Sequence, residues 1–221
     1  MHPCRWVVYR WAVVVLILLL PGLPGTASAQ AADDDKVGFV WAFEALVAEG
    51  NVTKQVLIKE DIKLKTGDQL KMYVELRKPC FVYVIHHGAG GEIQRLFPYD
   101  MQQFTTDYQT AKTYEIPPND GWFRINEQTG LETFYLVATA QRLTDLEQLL
   151  ATYAAAQPDE QPQAATNILA ELRNLLKQYR ASVKPGRPVP IAGNMRIPTG
   201  IEGVEITAPQ FYIETFTIEH H

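Results

Sequence analysis

The chain has 221 residues, 47% hydrophobic and 20% charged, with 25 acidic against 20 basic residues for a formal charge of −5. That length accommodates one domain with a proper core, and the acidic balance gives no footing for nucleic acid or an anionic membrane surface, both of which favour basic patches. With two cysteines, Cys4 and Cys80, a multiply stapled disulfide scaffold is excluded.

Residues 1–29 carry the layout of a secretory signal. Arg5 and Arg10 make a basic start, Trp11 to Leu20 is a purely apolar run, and Ala27-Ser28-Ala29 offers small residues for cleavage after Ala29. The run falls short of the roughly 20 residues a spanning helix needs, so an uncleaved anchor is the weaker alternative. No cysteine follows the run, which gives lipid attachment no support. Cleavage would leave 192 residues, with 18 basic and 25 acidic side chains and a formal charge of −7. It would also leave Cys80 as the sole thiol. Its flanks, Pro-Cys-Phe-Val-Tyr-Val-Ile, read as an apolar strand, so a buried, inert thiol is expected. The mature protein is expected to lack a membrane span and to be exported, periplasmic or secreted, from a bacterial cell.

Residues 30–36 (QAADDDK) read as a flexible leader to a single domain over residues 37–221. Val37 to Val47 reads as a strand apolar on both faces, with Phe39, Trp41 and Phe43 alternating against Gly38, Val40 and Ala42. Leu70 to Arg77 is the cleanest alternation: Leu70, Met72, Val74 and Leu76 on a buried face, Lys71, Tyr73, Glu75 and Arg77 on the other. Phe81 to His86 and Glu92 to Phe97 read as a hairpin around His87-Gly88-Ala89-Gly90-Gly91, stopped by Pro98. Met101 to Ala111 reads as loop. Lys112 to Ile116, Trp122 to Ile125 and Leu131 to Ala140 are further strand candidates, separated by turn residues.

The period then changes. Thr144-Asp145-Leu146-Glu147 matches a capping box, and Leu146, Leu149, Leu150 and Tyr153 follow at helical spacing. Gln157 to Gln163 reads as a linker. A second helix is expected over Ala164 to Ala181, its stripe being Ala165, Ile168, Leu169, Leu172, Leu175, Leu176 and Tyr179. The pair, an insertion over 142–181, is expected to pack on the sheet, or alternatively to offer an arm to a partner. Lys184 to Gly200 reads as an extended connector, and Val204 to Ile218 as the returning strand.

Leu64-Lys65-Thr66-Gly67-Asp68, the strand after it, Cys80 to Ile85, Gly91 to Pro98, Gly130-Leu131-Glu132 and Leu136 to Thr139 together resemble the domain of unknown function 4384 (DUF4384) family over roughly residues 60–140. The resemblance implies a β-sandwich-like module of exported bacterial proteins, and it brings no catalytic residues.

Chemistry-bearing motifs are sparse. Ser182, the only serine after the signal, lacks the constrained turn of a hydrolase nucleophile. His86-His87 and His220-His221 offer one histidine per strand face each, and a metal site would need the two pairs to meet with an acid such as Glu92 or Glu219. Gly88 to Gly91 lies between strands without Gly-Lys-Ser/Thr, so it reads as a turn and not a phosphate loop. Asp33-Asp34-Asp35 lacks the spaced ligands of a calcium loop.

The expected fold is α+β, mainly β: an antiparallel β-sandwich with a C-terminal helical hairpin and a returning last strand. No catalytic residue, metal or cofactor is assigned. The expected function is a non-catalytic protein-interaction module of the bacterial cell envelope, docking on another envelope or extracellular protein. Its candidate surface comprises Gly88, Gly90 and Gly91 of the hairpin, Tyr99, Phe104 and Tyr108 of the following loop, and Trp122, with the helix of Leu169 to Tyr179 beside them. The alternative is a small-ligand or glycan-binding protein using the aromatic rim; a carboxylate-based hydrolase is a third reading.

Overall fold

The computed structural model describes residues 36–50, 52–179, 186–191 and 201–221. The expected signal, the acidic leader up to Asp35, Ser182 and most of the 184–200 connector lie outside the described residues.

The architecture is mainly β, as the alternation patterns require. One sheet contains β1 (Lys36–Glu49), β2 (Val52–Leu57), β4 (Gln69–Leu76), β7 (Thr113–Ile116), β8 (Phe123–Arg124), β10 (Arg187–Pro190) and β11 (Glu202–Pro209). Its order is β10-β11-β1-β4-β7, with β2 extending along β1 and β8 along β4. The second sheet runs β3-β12-β9-β5-β6, from β3 (Ile62–Leu64), β12 (Phe211–His220), β9 (Gly130–Thr139), β5 (Phe81–His87) and β6 (Ile93–Phe97). Among the described residues every pairing is antiparallel except β3 with β12.

The odd-numbered residues of β1 build the inter-sheet core. Phe39 meets Tyr212 edge-on at 5.6 Å, Trp41 meets Phe216 at 4.6 Å, and Phe43 meets Phe134 at 5.1 Å. Leu70, Met72, Val74 and Leu76 of β4 point into the same layer, as their alternation predicts. Aromatic edge contacts of this kind add to the area that the rings bury.

Each sheet also buries part of its outer face. Val40 and Ala42 of β1 pack with Tyr73, Ile191 and Ile201, so β1 is covered on both sides, as its two apolar faces imply. On the second sheet, Tyr83, Ile85, Val137, Phe211 and Ile213 face α2 (Thr144–Ala155) and α3 (Gln161–Tyr179). The stripe of α3 supplies Ala165, Ile168, Leu172 and Leu175, and Tyr179 stacks on Phe211 at 3.9 Å. The helical pair therefore packs on the sheet.

Several expectations need correction. Lys71 and Glu75, placed on the polar face of β4, are 4% and 2% exposed, because flanking segments cover that face too. The 101–111 loop contains one helical turn, α1 (Gln103–Thr106), started by Asp100 Oδ1, which accepts from the Gln102 and Gln103 amides. The short strands β2 and β3 escape the sequence patterns: β2 is an edge segment with mostly exposed residues on both faces, and β3 has only three residues. Residues 204–218 are not one strand. Gln210, with φ of 59°, breaks them into β11 in one sheet and β12 in the other. Part of the connector pairs as β10 on the sheet edge, where Pro188 and Pro190 are tolerated. Helix α3 starts at Gln161, within the expected linker, and carries Pro162 in its first turn, where a missing amide costs nothing.

Phe43→Ala should lower stability by about 3–5 kcal/mol, because it empties a fully enclosed ring site between the sheets. Chemical denaturation at neutral pH measures this.

Candidate functional site

The strands run between two ends with different chemistry. At the end where β1 starts and β4 finishes, aromatic side chains gather. Phe104 of α1 meets Phe81 at 5.1 Å, Tyr83 at 5.3 Å and Tyr108 at 4.9 Å, and Tyr108 stacks with Tyr114 at 5.7 Å. Beyond the last residue paired with β6, the Val82 amide donates to Tyr108 Oη at 2.8 Å. The loop after Pro98 therefore folds over the strand ends. Phe104 and Tyr108 are half-buried, with only part of each ring facing out.

Beside these rings lies a wide groove, about 990 Å³, lined by Lys36, Arg77, Lys78, Phe81, Phe104 and Tyr108 among others. Its lining contains three basic residues and no acidic one. Cys80 also borders it, but the thiol is 3% exposed and lies 3.7 Å from the Gly38 carbonyl oxygen. Burial pushes this thiol up to about 11, which keeps it protonated at neutral pH.

The groove is tied to the helices through a buried polar network. Tyr83 Oη donates to Glu147 Oε1 at 2.6 Å and accepts the Leu143 amide at 3.1 Å. Arg142 grips the same carboxylate with two nitrogens, and its guanidinium lies 5.5 Å from the Phe104 ring centre. This arrangement replaces the expected capping box. The residue before α2 is Leu143, with no side-chain cap, and Glu147 turns toward Arg142 and Tyr83 rather than back to the backbone. A tyrosine of the sheet thus satisfies an amide at the helix start.

At the opposite end, alternation along the second sheet places polar residues on its inner face. Val82, Val84 and His86 point inward on β5; Leu136, Phe134 and Glu132 do so on β9; Ile218 and His220 on β12. His86 Nε2 bonds Glu132 Oε2, and its ring stacks on Phe134 at 4.7 Å. His220 is held separately, by the Gln128 carbonyl at 2.7 Å and Thr66 Oγ1 at 3.0 Å. The two histidine pairs thus share an end of the sandwich, but His86 and His220 do not share a ligand set. Glu219 pairs with Lys63 at 2.7 Å instead. Among the described residues no group of three or more histidines, cysteines or acids converges as a metal site would need.

The glycine hairpin closes this end. The Gly91 amide donates to the Gly88 carbonyl at 2.9 Å, and Gly91 takes φ of 88°, which a side chain would resist. A Cβ on Gly88 would fall 1.9 Å from Glu92 Oε1, and one on Gly90 2.5 Å from Gln128 Nε2. Both glycines leave room for polar side chains laid across the turn.

Tyr99 and Trp122 occupy a third place, the outer flank of the first sheet. Tyr99 Oη donates to the Glu115 carbonyl at 2.5 Å. Trp122 lies 5.8 Å from Lys71 Nζ, which pairs with the Glu115 carboxylate at 2.7 Å. The seven candidate residues are therefore distributed over three surfaces: Gly88, Gly90 and Gly91 at the histidine end, Phe104 and Tyr108 at the aromatic end, Tyr99 and Trp122 on the flank. Sequence reasoning passed over Glu132 and Arg124, and over the cluster of Lys36, Arg77 and Lys78. For Glu132 a signal existed: it continues the inward series of Ala138, Leu136 and Phe134. For the basic cluster none did, since β1 and β4 must pair before these residues meet.

Burial alone would raise the Glu147 carboxyl, but hydrogen bonds from Arg142 and Tyr83 outweigh it and hold it below 4.5. A depressed carboxyl contributes stability above its unfolded value and loses it as pH falls through the folded one. Stability should therefore drop on acidification past 4.5. Glu147→Gln should cost about 1–3 kcal/mol at pH 7 and flatten that acid limb in pH-dependent urea denaturation.

Among the described residues no helix is long and apolar enough to cross a membrane. A search of curated proteins and a search of solved structures each found no match. Residues 63–142, from β3 through β9 to the start of the helical pair, match the family described as Domain of unknown function (DUF4384), the same family that the sequence resembles.

Proposed function

We propose that this chain is a non-catalytic interaction module of the bacterial cell envelope, exported by residues 1–29 and docking on another protein through the groove at the aromatic end. The observation that carries the reading is the groove itself. It holds about 990 Å³, and Phe81, Phe104 and Tyr108 face it beside three basic residues, of which Arg77 is paired with Glu75. Half-buried aromatic rings, enriched at the centres of protein interfaces, form the floor. The fitting partner is an extended segment of another envelope protein that lays apolar side chains on these rings. The buried Cys80 thiol, held protonated beside the groove, serves as packing and not as a nucleophile. Support for export is the basic start, apolar run and small-residue cleavage site of residues 1–29.

The joint substitution Lys36→Glu and Lys78→Glu should reduce capture of such a partner by about tenfold or more, ~1.4 kcal/mol. Cross-linked pull-down from native envelopes reads this, with Lys54→Glu, an exposed side chain at the far end of β2, as the charge control. Equal capture by all three proteins would refute docking at the groove. The second reading, small-ligand or glycan binding, was expected at the aromatic rim; the observation that favours it lies elsewhere, in the cavity at the histidine end.

A further inference from the structure

At the histidine end the two sheets part between β6 and β8 and leave a cavity of about 170 Å³. Its apolar lining includes Phe123 and Phe134 beside three aliphatic side chains, and its polar lining His86, Glu92, Arg124 and Glu132 with two amide side chains. Glu132 is the deepest of the polar groups, 7% exposed. Its Oε2 is taken by His86, and the residue lines the cavity. A carboxylate in the wall of a cavity can accept from a donor placed there. Glu92 is placed by the glycine hairpin, since a side chain at Gly88 would collide with its carboxylate.

The composition narrows the ligand. Two carboxylates disfavour an anion. Arg124 and the His86 bond to Glu132 disfavour a simple cation. Acceptors and donors converge together over aromatic carbon, which suits a molecule whose every polar group both donates and accepts, and whose ring presents C–H surface to Phe123. The volume lies below the roughly 300–1,000 Å³ of drug-sized pockets, so it fits one ring and not a chain. We infer that this mouth is a binding site for a single uncharged sugar ring. Glu132 and Glu92 accept from its hydroxyls, Arg124 donates to them, and Phe123 supports the apolar face. The inference stands apart from the groove, which lies at the other end of the sandwich.

The test is titration of the full chain with D-glucose, D-galactose and N-acetyl-D-glucosamine, followed by protein-observed NMR, with D-glucosamine and D-gluconate as charged counterparts. The expected result is saturable binding of at least one neutral sugar near the millimolar range, roughly −4 kcal/mol, with shifts centred on His86, Arg124 and Glu132. Arg124→Ala, an exposed position, should weaken it about tenfold or more. Gly88→Ala should do the same at little change in thermal stability, because the three atoms nearest its Cβ all belong to the movable carboxylate of Glu92. Lack of saturation by all three sugars up to about 50 mM, binding unaffected by both variants, or equal binding of the charged counterparts would each overturn the inference.

Discussion

The odd-numbered aromatic residues of β1 bind the two sheets together, and the rest of the molecule depends on that contact. Phe39, Trp41 and Phe43 reach Tyr212, Phe216 and Phe134 on two strands of the facing sheet. Because side chains alternate along a strand, placing these rings inward forces Val40 and Ala42 outward. That outward face then needs its own cover, which Ile191 and Ile201 provide. A one-residue slip of β1 would exchange three large rings for small residues between the sheets. The register with β4, pairing Phe39 with Leu76 and Phe43 with Met72, is held by that penalty.

Polar residues in the interior are accommodated by position. Tyr83, fully buried, is tolerated because Glu147 and the Leu143 amide use both sides of its hydroxyl. Lys71 is tolerated on the outer flank because Glu115 pairs with it and two rings lie near its ammonium group. Breaking such a pair by removing one member leaves a buried charge, which costs more than the intact pair contributes. Glu214 is the contrasting case. Tyr212 donates to it, yet burial still raises its carboxyl above the usual range. These networks tie the helices and flanking segments to the sheets, and they also set what each surface presents.

The two ends differ for a geometric reason. At the aromatic end the chain after β6 doubles back, and its rings fill the space above the strand ends. At the histidine end the inward series on β5, β9 and β12 turns from apolar to polar before the strands finish, so His86, Glu132 and His220 face the gap between sheets. A sandwich closed by aromatic rings at one end and by hydrogen-bonding groups at the other offers two unlike surfaces on one framework.

By itself, the sequence determined the class of the fold, the long strands and the helical pair. These rest on local periodicity: Leu70 to Leu76 alternates and Ala165 to Leu175 recurs at helical spacing, whatever the partner. It also determined that β1 would be covered on both faces, since both faces are apolar. Tertiary structure alone decided the rest. Residues 204–218 show one alternation, and only their pairing reveals that Gln210 divides them between two sheets. Thr144 and Glu147 match a capping box in spacing, and only the presence of Tyr83 and Arg142 diverts the carboxylate. The groove at the aromatic end joins the start of β1 to the end of β4, and the histidine-end cavity joins β5 and β9 to β8. Periodicity reports which face a residue takes, whereas a site needs residues distant in sequence to share a place, and only strand pairing and sheet packing bring them there.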